Sequence, residues 1–264
     1  MSGLRNPYAQ PNGSHKKNKV KKDFQIVTVM NRIPAEWYYL VKQFGASLKG
    51  EPCLVINYSD TDQWKGLNTK PKWLYRAIKD GFIPEKYMIF TDCWDVVFAA
   101  APEEIIFNYE HFFTDIVISA EQNCFPSDEK DNFDKYFSET KYKYLNSGFI
   151  VGETEAILTC LEAMDVNNLP DDRWMPDEQI NFHGNDQHEW QKIFLRQPVN
   201  MKLDRCQVLS QTLHDADIAD FDFGGERIVN KITKSRPCAF HFNGGSKDNL
   251  SLREPILEKL KLNK

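Results

Sequence analysis

The stretch Ile89 to Ala99 reads IFTDCWDVVFA, with Asp92 and Asp95 three residues apart between apolar runs. A carboxylate withdrawn from water is costly unless it is paired, hydrogen-bonded or bound to a cation. Two of them at the end of a buried strand suit a hard divalent cation. Mg²⁺ and Mn²⁺ take oxygen ligands and commonly share them with substrate phosphates. An Asx-turn, in which one aspartate bonds its own backbone, also fits the spacing. His241 shifts the balance toward a cation. It ends another apolar run and precedes Asn243-Gly244-Gly245-Ser246-Lys247. Such a loop lets the backbone approach a phosphate and offers N–H groups and a lysine. An Asp-x-x-Asp pair with a distant histidine can complete a three-ligand site for the metal of a nucleotide diphosphate. No Ser-His-Asp or Cys-His arrangement and no Walker A motif is evident.

These residues need a scaffold, and the first half of the chain supplies a regular one. FQIVTVM (24–30), PCLVIN (52–57), YMIFTD (87–92) and DIVISAE (115–121) read as strands. AEWYYLVKQFGASL (35–48), PKWLYRAIKD (71–80) and a segment from about Pro102 to Phe113 read as helices between them. This alternation predicts an α/β fold with a largely parallel sheet and helices on both faces, and unbroken apolar strands fit burial on both sides. Ligands gather beyond the C-terminal strand ends of such sheets, where Asp92 and Asp95 stand. In the second half, YLNSGFIVG (144–152) reads as a turn into a short strand, and 153–164 and 186–196 as helices. Residues 165–185 read as a loop, and PCAFHFNGGSK (237–247) as a strand entering a glycine-rich loop.

The 264 residues suit one α/β domain or two small ones, and 41% apolar content indicates a globular body. Residues 1–22 are polar and are expected to be a disordered basic tail, with Lys16, Lys17, Lys19, Lys21 and Lys22 clustered before the first strand. The net charge of −5 argues against a large phosphate-neutralising surface. None of the six cysteines forms a C-x-x-C pair, so a zinc knuckle or thioredoxin-type site is not expected. No apolar leader opens the sequence and no run approaches membrane-spanning length, so the expectation is a cytoplasmic protein, in the host cytoplasm if viral, with no membrane partner.

Six blocks in order, over about residues 24–247, resemble the glycosyltransferase domain of the procollagen lysyl hydroxylases, the multifunctional collagen-modifying enzymes. They are FTDCWDVVFA, ISAEQNCFP (118–126), YLNSGFIVG, NDQHEWQKIFL (185–195), MKLDRCQVLSQ (201–211) and HFNGGSK. The resemblance implies a GT-A glycosyltransferase fold, a Rossmann-like mixed sheet flanked by helices, over 23–264. The nucleotide-binding half would span about 23–125 and the acceptor half about 126–264. It implies Asp92, Asp95 and His241 as ligands of Mn²⁺ or Mg²⁺, and a nucleotide-sugar donor, UDP-linked. Trp94 would pack near the uridine, Trp64 and Lys70 would help hold the nucleotide, and Thr28 would contact the base. Asn243, Gly244 and Lys247 would line the diphosphate. Asn146, Ser147 and Gly148 would shape the sugar pocket, and Asp186 with Asn185 and Gln187 would lie near the transferred sugar or incoming hydroxyl.

Structural alternatives stand beside several of these. Trp64 and Trp94 also suit a core, Asp186 a helix N-cap, Asn146 a turn, and Glu121 a structural carboxylate. The acidic residues Asp171, Asp172, Asp177 and Glu178 also suit a solvated loop. The sequence departs from the family at Phe125, where the family has tryptophan, and at Phe242 and Phe149, where it has glycine. Phe242 would narrow the loop or point into the core. The acceptor implied by the resemblance is hydroxylysine of a collagen-like protein. A hydroxymethylated base of viral DNA and a small hydroxylated molecule are further acceptor classes. Functions of other kinds are a metal-dependent phosphohydrolase and a catalytically silent nucleotide-sugar or glycan-binding module. The oxygenase domains of lysyl hydroxylases have no room in this sequence, so hydroxylation is not expected.

Overall fold

The computed structural model describes residues 23–31, 38–137, 139–170 and 185–262. The expected tail, residues 35–37 of the first expected helix, and Asp171, Asp172, Asp177 and Glu178 lie outside the described residues. The chain runs β1 (Phe24–Val29), α1 (Tyr38–Ser47), β2 (Cys53–Ile56), α2 (Thr69–Lys79), β3 (Tyr87–Thr91), β4 (Val96–Phe98), α3 (Pro102–Glu110) and β5 (Ile116–Glu121). It continues with α4 (Lys130–Tyr136), β6 (Tyr144–Glu153), α5 (Thr154–Ala163), α6 (Asp186–Arg196), β7 (Met201–Asp204) and β8 (Ser210–Thr212). A short antiparallel pair, β9 (Phe221–Asp222) and β10 (Val229–Asn230), then β11 (Ala239–His241) and α7 (Leu250–Lys259) complete it.

The main sheet has the order β2-β1-β3-β6-β5-β7. β1 is parallel to β2 and β3, and β5 to β7, whereas β6 is antiparallel to both neighbours. Successive strand residues face opposite sides. Val27, Phe90, Ile118 and Ile150 meet Trp73, Ile157 and Trp190 on one side. Ile26, Ile89, Val117 and Val151 meet Phe44 and Ile105 on the other. Both faces are therefore apolar, and each fully buried side chain of this size contributes about 1.5–3 kcal/mol.

Segment 144–152 corrects the expectation of a turn and a short strand. All of it lies in one strand of 10 residues, buried at every position but the last. Asn, Ser and Gly signal turns because their side chains bond local backbone or permit unusual dihedrals. Here Asn146 Oδ1 does accept the local Gly148 N at 3.0 Å, but within the strand, while Asn146 Nδ2 and Ser147 bond other elements. The register with β5 jumps between Ile118, opposite Ile150, and Ser119, opposite Asn146. Residues 147–149 are left out of that ladder, a bulge that re-aims them.

β4 leaves the main sheet and joins β11 and β8 in a second one, order β4-β11-β8. β11 runs antiparallel to β4, with His241 opposite Val96, and parallel to β8, with His241 opposite Thr212. Phe240, Phe242, Leu252 and Ile256 pack beneath it, so Phe242 points into the core. Phe149 is likewise buried, tilted against Phe98 at 6.1 Å between centroids. The β7–β8 turn wraps around Asp204, whose carboxylate accepts the N–H groups of Val208, Leu209 and Ser210 at 2.9, 2.7 and 3.1 Å. Among the described residues no helix is long and apolar enough to cross a membrane.

Candidate active site

Asp92 follows the C-terminal end of β3, and its N–H donates to Gly148 O at 2.9 Å. Asp95 directly precedes β4. The β4–β11 pairing brings His241 beside it, and Phe242 N donates to Asp95 O at 2.6 Å. Ligand atoms of Asp92, Asp95 and His241 consequently lie within 4.8 Å of one another. His241 Nε2 is 3.4 Å from Asp95 Oδ1. His241 is 3% exposed, and its Nδ1 is buried without a hydrogen-bond partner. A buried orphan of this kind asks for an explanation.

Gly148 keeps the space beside this triad open. A Cβ there would lie 2.2 Å from His241 Cε1, 2.9 Å from His241 Nδ1 and 3.0 Å from Asp92 Oδ2. Two carboxylates and an imidazole around a gap that only glycine leaves clear fit a divalent cation with mixed oxygen and nitrogen ligands.

Two lysines complete the charge pattern. Lys247 Nζ lies 2.7 Å from Asp95 Oδ2. Lys70 Nζ lies 3.1 Å from Asp92 Oδ1 and 2.9 Å from Asp186 Oδ2. Burial opposes ionisation of Asp95, but His241 and Lys247 outweigh it and hold the carboxyl well below its usual range. Burial also opposes a charge on Lys70, and the carboxylates of Asp186 and Asp92 outweigh it, raising its pKa above the ordinary lysine range.

A cavity of about 260 Å³ opens beside these groups, lined by Val29, Met30, Trp64, Leu67, Lys70, Asp92, Cys93, Trp94, Asp95 and Lys247. Of the expected nucleotide contacts, Trp64, Lys70, Trp94 and Lys247 line it. Trp64 also stands edge-on to the buried Trp73 at 5.5 Å, so it serves wall and core together. Thr28 is fully buried in β1, one residue before the lining Val29.

Asn243 and Gly244 face elsewhere. Asn243 Nδ2 donates to Glu121 Oε2 at 2.9 Å, and its Oδ1 accepts Leu213 N at 2.9 Å and His214 N at 3.0 Å. Gly244 has φ +55 and abuts His214, where a Cβ would come within 2.6 Å of Nδ1. Residues 244–247 form a single 3₁₀ turn rather than an open loop. Gly245 N donates to His214 Nδ1 at 3.2 Å.

The residues expected near the sugar converge from two elements. Asn185, not Asp186, caps α6, accepting Gln187 N at 2.9 Å. This leaves the Asp186 carboxylate for Lys70 and for Ser147 Oγ, which donates to it at 3.3 Å. Gln187 Oε1 accepts Ser147 N at 3.2 Å, and Gln187 Nε2 donates to Glu121 Oε1 at 2.9 Å. Asn146 Nδ2 reaches the same Glu121 oxygen at 3.2 Å, and Asn146 Oδ1 accepts Gly148 N at 3.0 Å.

Glu121, which the sequence offered only as a structural carboxylate, is thus the hub of this wall. Carboxamides from β6, α6 and the segment after β11 all donate to it. Burial pushes its pKa up to about 7, against the pull of Asn146, Gln187, His241 and Asn243. Its signal was the one that marked Asp92: an acidic residue ending an otherwise apolar strand.

Residues 55–259 match the profile of the PLOD GT domain. Procollagen-lysine,2-oxoglutarate 5-dioxygenase 2 of Mus musculus is 27% identical over 168 residues, which cover 61% of this chain and 21% of that protein. The type 1 enzyme of Bos taurus is 28% identical over 195 residues, 70% of this chain and 25% of that protein. A protein of Acanthamoeba polyphaga mimivirus is 30% identical over 181 residues, 67% of this chain and 35% of its own length. The chain therefore spans between a fifth and about a third of these relatives. Among solved structures, a glycosyltransferase involved in the glycosylation of the major capsid of PBCV-1 superposes with a TM-score of 0.50 at 10% identity, over 87% of this chain and 99% of that one. The fold is that of the GT-A glycosyltransferases, and the chain belongs to the family of glycosyltransferase domains found in the procollagen lysyl hydroxylases.

Proposed function

We propose that the protein moves a sugar from a nucleotide-sugar, UDP-linked, to a hydroxyl group with the help of a divalent cation, Mn²⁺ or Mg²⁺. The observation that carries this reading is the convergence of Asp92, Asp95 and His241 beside a cavity walled by Trp64, Trp94, Lys70 and Lys247. Asp92, Asp95 and His241 would hold the cation. Bound there, it would neutralise charge developing on the departing diphosphate.

The chain's own residues do the rest. Trp64 and Trp94 offer flat apolar walls to a base and ribose. Lys70 and Lys247 present ammonium groups to the diphosphate, where positive charge stabilises the leaving group. Gly148 leaves room for the cation. Asn146, Ser147 and Asp186, fixed by Glu121, Gln187 and Lys70, form the wall at which sugar and incoming hydroxyl would meet in a set orientation. Asn185 and Gln187 hold that wall rather than reach the reacting atoms.

The names of the curated relatives say that they act on procollagen lysine. A hydroxylated lysine carries an oxygen nucleophile, and we extend the reading to hydroxylysine of a collagen-like polypeptide as acceptor. The test is a screen of UDP-sugars and other nucleotide-sugars, with Mn²⁺, Mg²⁺ or chelator, read by melting temperature and nucleotide release. Transfer to a hydroxylysine-bearing collagen-like peptide is then followed by mass spectrometry. Cation-dependent stabilisation, release and peptide glycosylation are expected. Absence of stabilisation and release with every donor, in folded protein, would overturn the reading. Transfer to hydroxymethylated DNA in place of the peptide would reassign the acceptor.

A further inference from the structure

Resting on the cation-dependent reading above, we infer that Lys70 and Lys247 are built-in counter-ions of the cation site, which make its occupancy depend on the donor's diphosphate. The two carboxylates divide their oxygens in the same way. Asp95 turns Oδ1 toward His241 Nε2, 3.4 Å away, and Oδ2 toward Lys247 Nζ at 2.7 Å. Asp92 gives Oδ1 to Lys70 Nζ at 3.1 Å, while its Oδ2 borders the gap at Gly148 that His241 Nδ1 also borders. One oxygen of each aspartate thus faces the imidazole side, and the other holds an ammonium.

Without the cation, the carboxylates of Asp92, Asp95 and Asp186 face two ammoniums, since Lys70 Nζ is shared with Asp186 Oδ2 at 2.9 Å. A divalent ion entering this place adds two positive charges beside the two already there. Solvent screens them weakly, because Lys70 is 11% and Asp95 8% exposed at the side chain. A diphosphate supplies the missing negative charge and offers oxygens to the ion and both lysines. By linkage the ion and the diphosphate then raise each other's affinity by the same factor. A site built for cation affinity alone gains nothing from ammoniums on both of its carboxylates.

The test is Mn²⁺ binding to the full chain, followed by electron paramagnetic resonance and calorimetry, without nucleotide and with UDP. Lys247→Met and Lys247→Gln are compared with wild type and with the charge-retaining Lys247→Arg. Lys247 lies on a surface turn and is 23% exposed, and circular dichroism with a thermal melt checks each fold. Both neutral variants are expected to bind Mn²⁺ alone about tenfold more tightly than wild type and to lose most of the tightening by UDP. Lys247→Arg should keep the wild-type pattern. Unchanged or weaker Mn²⁺ affinity in the neutral variants would overturn the inference and leave the cation site standing. No Mn²⁺ uptake by folded wild type, with or without UDP, would overturn both.

Discussion

Lys70 Nζ bridges Asp92 and Asp186, at 3.1 Å from one carboxylate and 2.9 Å from the other. The three residues come from three places: α2, the turn after β3 and the first turn of α6. The ammonium therefore ties the turn carrying the candidate cation ligands to the helix that carries the candidate sugar-side carboxylate. Asp186 is 4% exposed at its side chain, so the bridge lies in poorly solvated surroundings. Breaking a buried pair is costly chiefly because it strands the remaining charge.

Lys70→Met is expected to lower unfolding free energy by about 3–5 kcal/mol, because two carboxylates lose their counter-charge at once. Part of that loss should return with Mn²⁺, which restores positive charge beside Asp92. Urea unfolding with and without the ion measures both. A loss below about 1 kcal/mol would place the bridge in the class of exposed ion pairs.

Gly148→Ala should remove Mn²⁺ binding while the fold persists. The added Cβ falls 2.2 Å from a His241 ring atom, so the ring must leave its place. The overpacking should cost about 1–3 kcal/mol in a melt. Asp95→Ala and His241→Ala should reproduce the loss of Mn²⁺ binding and of cation-dependent turnover. Wild-type turnover in any of the three would remove the cation from this site.

Asp186→Ala should reduce sugar transfer at least tenfold more than it reduces UDP affinity. The carboxylate touches Lys70 and Ser147 but does not line the cavity assigned to the nucleotide. Steady-state turnover beside calorimetric UDP binding separates the two effects. Equal losses in both would assign Asp186 to nucleotide binding.

Glu121 should impose a pH dependence on stability. Its ordinary pKa is 4.5, and burial raises it to about 7 in the folded chain. The protonated form is thus favoured by folding. The group's contribution is complete below about pH 4.5, declines as pH rises toward 7 and is lost above it, by about 3 kcal/mol in all. Unfolding free energies of wild type and Glu121→Gln, measured from pH 4.5 to 8, should diverge by that amount. Parallel curves would show that Glu121 titrates normally.

Strands β1, β2, β3 and β5 and helices α2, α5 and α6 were legible because their apolar spacing is local. The helix expected over 186–196 is the observed α6 to the residue. Segment 144–152 was misread because its Asn, Ser and Gly carry turn signals: the local bond from Gly148 N to Asn146 Oδ1 does form, but Asn146 Nδ2 and Ser147 are held by β5 and α6, far away in sequence. The loop expected at 243–247 was misread for a similar reason. Asn243 and Gly244 serve Glu121 and His214, contacts that no local pattern announces.

The sequence by itself determined the α/β alternation, the acidic pair at a strand end, and six ordered blocks that resemble one glycosyltransferase family. Those are properties of short segments, and periodicity, composition and motif order express them. The tertiary structure alone decided that His241 meets Asp95, through the β4–β11 ladder, and that Gly148 is glycine for a neighbour's sake rather than for a turn. It also decided that Lys70 and Lys247 each take one oxygen of a different aspartate. Charge–charge and steric terms depend on distance in space. Residues nearly 150 positions apart acquire such a distance only when strand pairing closes the chain between them.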